Sequence, residues 1–124
     1  MKEKIAAGED RGKCVGSIAD ACLDKSEDPS TYGMANCSRR EQEVWDERLN
    51  AAYKELMSEV DRKQRISVRD MQRSWIAFRD KKCGLHSVLE EGSIVIPIIA
   101  YCYMEETGRQ AVFLEQLVSE GDSR

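Results

Sequence analysis

Between Met34 and Val60 the apolar residues Met34, Cys37, Val44, Trp45, Leu49, Ala52, Tyr53, Leu56 and Val60 recur at helical spacing, with Arg39, Arg40, Glu43, Glu47 and Glu55 largely off that stripe. This is the pattern of a long amphipathic helix, and the fold must give its apolar side something to pack on. Asp28-Pro29-Ser30-Thr31 precedes it as a turn, and Ser30 or Thr31 is placed to cap the first turn. The rest of the chain agrees, since only two Pro and eight Gly leave few of the punctuators that an all-β chain needs.

A second helix is expected from Ser67, whose hydroxyl can cap while Asp70 favours the positive end of the helix, and it runs toward Leu89. Val68, Met71, Trp75 and Phe78 form its inner stripe. Gly92-Ser93 breaks the pattern. Pro97, which lacks an N–H donor, fits best in the first turn of a third long helix reaching about Val118, with Ile98, Ile99, Cys102, Phe113, Leu114 and Leu117 as its core residues. Cys14, Ile18, Ala21 and Cys22 suggest a further short helix near the N-terminus.

The five cysteines, at positions 14, 22, 37, 83 and 102, form no C-x-x-C pair. Structural zinc sites bring their ligands in close pairs, so disulfides are the better reading, and a bridge closing about 15 residues restricts the unfolded chain by roughly 3 kcal/mol. The fifth thiol is left over. Disulfides imply an oxidising compartment, while Met1 to Lys13 lacks the apolar run of a secretory leader. The expectation is a periplasmic or secreted protein whose leader has been removed, rather than a cytosolic protein with five buried thiols. The chain as a whole is expected to be all-α, with three to four antiparallel helices stapled by disulfides. At 124 residues it makes one domain, with residues 1–13 as an N-terminal extension.

Charge is unevenly distributed. Residues 62–82 hold eight Lys or Arg against two Asp, while residues 84–106 hold four Glu and no Lys or Arg. Arg62, Arg65, Arg69 and Arg73 share one helical face roughly opposite the inner stripe, which reads as a solvated surface. Nucleic acid is not the expected partner, because the pI is near 5.1 and no aromatics interleave with that face. No run approaches the ~18 apolar residues of a membrane span. The acidic residues Glu90 and Glu91, followed by Gly92-Ser93, fall at a turn between helices, where a protruding loop can present carboxylates to a basic partner.

Chemistry is sparse. A single histidine, His86, excludes a His-rich metal site, and neither glycine-rich phosphate-loop pattern occurs, so no cofactor and no metal is expected. On the second helix Gln72, Ile76, Arg79 and Cys83 form a line beside the apolar stripe, and Asp46, Asn50, Tyr53 and Met57 do the same on the first. Packing those flanks together makes a polar network between helices from Asp46, Asn50, Tyr53, Gln72, Arg79 and Asp80. Asp46 with Asp80 could suggest a glycosidic carboxylate pair, but nothing local holds one acid protonated. No catalytic residue is expected.

The ordered residues Trp45-Asp46, Leu49-Asn50-x-x-Tyr53, Gln72-x-x-Trp75-x-x-x-Arg79-Asp80-x-x-Cys83, Gly92-Ser93, Cys102 and Arg109 together resemble the LprI-type lysozyme-inhibitor-like family of small bacterial extracytoplasmic helical domains. The resemblance covers about residues 22–118. It implies the pairings Cys83 with Cys102 and Cys22 with Cys37, with Cys14 extra to the pattern and a Cys14 to Cys22 alternative left open. It also implies a protein that binds and inhibits a lysozyme, with Glu90, Glu91 and Ser93 as the expected contact. The alternative is a structural or accessory envelope interaction domain with no lysozyme partner.

Overall fold

The computed structural model describes residues 11–25 and 30–121; Asp28 and Pro29 of the expected turn, and most of the expected N-terminal extension, lie outside them. A 3-10 turn over Arg11–Cys14 leads into four helices, α1 (Ser17–Lys25), α2 (Thr31–Glu59), α3 (Arg62–Leu89) and α4 (Val95–Gly121). No strand occurs among the described residues, and the all-α expectation holds.

The helix boundaries follow local chemistry. Ser30 caps α2, its hydroxyl accepting from the Gly33 N–H at 3.1 Å. Helix α3 starts five residues before the Ser67 position expected from sequence. Asp61 is the cap: its carboxylate accepts from the Gln64 N–H at 2.7 Å, while the Gln64 side chain accepts from the Asp61 N–H at 2.9 Å. This reciprocal pair satisfies two orphan donors at once and outcompetes the lone Ser67 hydroxyl. The α3–α4 turn uses Gly92 at φ 87°, a conformation glycine adopts without a side-chain clash, and Pro97 sits in the first turn of α4 as expected.

Consecutive long helices reverse direction, so α2 and α4 run the same way and form the main seam of the molecule. Trp45, Leu49, Ala52 and Leu56 of α2 meet Met104, Ala111 and Leu114 of α4, all buried. At about 25 cal/mol per Å2 of apolar surface removed from water, such a seam is the chief source of stability. Gly108 allows the closest approach within it. A Cβ there would lie 2.9 Å from a Val15 methyl carbon and 3.0 Å from Trp45 Nε1. Across the same seam Arg48 holds Glu115 with two hydrogen bonds, 2.9 and 2.6 Å, and stacks over the Trp45 ring at 4.5 Å.

Two disulfides tie the periphery to this seam. Cys22–Cys37 fastens α1 to α2, and Cys83–Cys102 fastens α3 to α4, as the family resemblance implied. Cys14 takes part in neither bridge and is buried. Two residues expected in the core are not there. Phe78 and Phe113 are 57% and 43% exposed, because their positions on α3 and α4 face no other helix.

Candidate functional site

The most deeply buried charge-bearing group is structural. Glu41 of α2 is fully buried and accepts from the N–H groups of Gly16, Ile18 and Ala19 at 2.6 to 2.8 Å, and from Trp45 Nε1 at 2.7 Å. Three of these donors lie at the start of α1, where backbone N–H groups have no intrahelical partner and the helix dipole favours negative charge. A carboxylate from α2 thus caps α1 from outside it. The pattern of the chain offered one clue, Glu41 lying one helical turn before Trp45 on the α2 stripe.

Two surface regions gather the residues singled out from the sequence. The first is the tip of the α3–α4 hairpin. Glu90, Glu91 and Ser93 are all exposed there, and the His86 ring nitrogen lies 3.0 Å from a Glu90 carboxylate oxygen. Around them Leu85, Val88, Leu89 and Ile94 are 51%, 78%, 72% and 50% exposed. A hollow of about 440 Å3 opens beside the tip, walled by Met34, Ile94, Pro97, Ile98 and Tyr101 and edged by Lys82, His86 and Glu105. The Cys83–Cys102 bridge pins the base of the tip.

The second region is a cleft between α2 and α3. Helix α3 leans on α4, and its looser approach to α2 leaves an opening of about 430 Å3. Asp46, Asn50 and Tyr53 line it from α2, while Gln72 and Arg79 line it from α3. Gln72 is held from behind, its Oε1 accepting from Gln110 Nε2 of α4 at 2.8 Å. Arg79 lies between the Trp75 and Tyr103 rings, 4.9 and 5.0 Å from their centroids, and reaches Asp80 at 3.2 Å and Thr107 at 3.4 Å. Asp80 is exposed at the edge of this group and does not line the cleft; it interacts with the Tyr103 phenol.

Burial raises the Asp46 carboxyl above its ordinary value, the Arg79 guanidinium opposes that shift, and Glu43 adds to it. Burial and then the neighbouring Asp80 charge likewise raise the Tyr103 phenol. The cleft has two further cationic members at its edge, Arg69 and Arg73, both exposed as the solvated-face expectation had them. Arg69 lies three residues before Gln72 and Arg73 three before Ile76, and that spacing is the available signal, since it sets them beside the line already traced along α3. Among the described residues, no group of three or more His, Cys, Asp or Glu side chains is arranged to hold a metal ion.

Fold and surface together define a disulfide-stapled helical domain with an acidic, apolar-rimmed tip and a separate donor-rich cleft. The chain belongs to the LprI family, described as lysozyme inhibitors, whose family model matches residues 22–114. No curated protein matches the chain, and no solved structure does. No described helix is long and apolar enough to cross a membrane.

Proposed function

We propose that this protein acts outside the cytoplasm as a lysozyme inhibitor, binding the enzyme through the α3–α4 tip. Family membership supports the partner, and two disulfides support an oxidising compartment. The observation that carries the choice of surface is the exposure of Val88 and Leu89, at 78% and 72%, beside Glu90 and Glu91 on a turn pinned by a disulfide. Clustered exposed apolar side chains with a charged rim have the anatomy of a protein-binding patch. The carboxylates match a basic enzyme surface, steering encounter and making inhibition sensitive to salt. Val88 and Leu89 supply the buried contact once docked, with the hollow lined by His86, Ile94 and Pro97 open to a side chain from the enzyme.

The test is a lysis assay with a c-type lysozyme and the unreduced protein at low and moderate salt. Saturable inhibition near stoichiometric amounts is expected, weakened by Glu90→Lys with Glu91→Lys and more strongly by Val88→Asp. Full inhibition by both variants would move the contact elsewhere. No inhibition by the parent protein at large excess would leave the accessory interaction domain as the reading.

A further inference from the structure

The α2–α3 cleft is rich in hydrogen-bond donors that the protein does not itself use. Arg69 and Arg73 line it, and neither forms an ion pair or hydrogen bond among the described residues. They stand four residues apart on one face of α3, a like-charge spacing that costs a helix a few tenths of a kcal/mol. Between them Gln72 spends its carbonyl oxygen on Gln110 and leaves its amide N–H groups without an acceptor among the described residues. From the facing helix Asn50 and Tyr53 add an amide and a phenol, while buried Leu49 and exposed Ile76 supply apolar lining. Asp46, at the opposite end beside Arg79, is the one carboxylate lining the cleft.

We infer that this cleft is a binding site for a small carboxylate-bearing ligand, with the carboxylate between Arg69 and Arg73 and a ligand hydroxyl or amine donating to Asp46. Guanidinium groups match carboxylates through paired N–H donors, and the surplus of donors calls for an acceptor-rich anion. An opening of about 430 Å3 holds a ligand the size of a sugar acid or a dipeptide. Both sources share this chemistry. The inference does not rest on lysozyme inhibition, since the cleft uses the middle of α2 and the middle of α3, whereas the tip lies at the far end of α3.

Calorimetric titration of the full, unreduced chain tests it without any lysozyme present. The probes are N-acetylmuramic acid, the dipeptide Ala-Ala, and N-acetylglucosamine as the sugar lacking the carboxylate. Saturable binding of the sugar acid or of the dipeptide is expected, whichever binds naming the source, with the neutral sugar at least about tenfold weaker. Arg69→Gln with Arg73→Gln should weaken binding about tenfold or more. Arg62→Gln with Arg65→Gln, on the same helix but outside the cleft, should change it less than about twofold. Circular dichroism on both pairs checks that the helices persist. Three results would overturn the site: no saturation by either acid up to about 10 mM, equal loss in both Arg pairs, or binding of the neutral sugar as tight as that of the acid.

Discussion

Helices α2 and α3 are almost equal in length, 29 and 28 residues, and both carry apolar residues at helical spacing, yet they play different parts. Helix α2 buries residues along its whole course, from Gly33 to Leu56, whereas α3 buries only Gln72 and Cys83. The difference lies in their neighbours. α2 is enclosed by α1 on one side and α4 on the other, while α3 packs mainly on α4, tethered to it by a disulfide, a glutamine pair, the Lys82–Glu106 ion pair and the Arg79–Thr107 contact, and touches α2 lightly, as where Arg65 donates to the Met57 carbonyl. A helix held on one side keeps most of its surface for solvent or for partners, and both candidate sites use it.

The contrast can be broken most severely at Trp45. Trp45→Ala removes a fully buried ring together with its contacts to Glu41 and Arg48, and is expected to cost about 4 kcal/mol in denaturant unfolding. Glu41→Gln keeps the volume but offers one acceptor oxygen where four N–H groups now converge, so a loss of about 3 kcal/mol is expected. Hydrogen exchange should rise in α1 in particular, because its first turn loses the external cap.

On the α3 side, Cys83→Ser with Cys102→Ser opens a loop of 19 residues and should cost about 3 kcal/mol in the chain-entropy picture. Exchange should increase at the tip more than in the α2–α4 seam. Equal loosening of both would mean that α3 is as integral to the core as α2. Phe78→Ala, by contrast, should change stability by less than about 0.5 kcal/mol despite removing an aromatic ring, since that ring is 57% exposed.

The smallest effect belongs to Asp46. Burial raises its folded-state value, so the folded protein binds a proton more readily than the unfolded chain and this carboxyl favours folding more as pH falls through the window just above the ordinary carboxylate range. Asp46→Asn should therefore leave stability at neutral pH unchanged or slightly higher and flatten the thermal midpoint across that window. A midpoint that falls at neutral pH would show instead that the attraction of Arg79 outweighs burial.

Much of this architecture was legible in the residues. The α2 stripe, the cap at Ser30, the break at Gly92 and the place of Pro97 all follow from local rules that act within a few residues. The Asp61-x-x-Gln64 capping box was present as well, but the later Ser67 drew the expected start of α3 away from it. The lines Asp46, Asn50, Tyr53 and Gln72, Arg79 do converge on one cleft, and their helical spacing had placed each set on a single face. Asp80 left that group because it follows Arg79 directly in sequence, about 100° further around the helix.

By itself, then, the sequence determined which segments become helices, where they begin and end to within about a turn except at the start of α3, and, through resemblance, which cysteines pair. Only the tertiary structure decided which apolar faces are covered. Phe78 and Phe113 obey the same periodicity as Trp45 and Leu114, but burial requires a second helix opposite, and periodicity carries no information about what stands there. The same holds for charge. Glu41 becomes an internal cap and Arg69 and Arg73 become the wall of a cleft because helices distant in sequence bring, or fail to bring, partners to them.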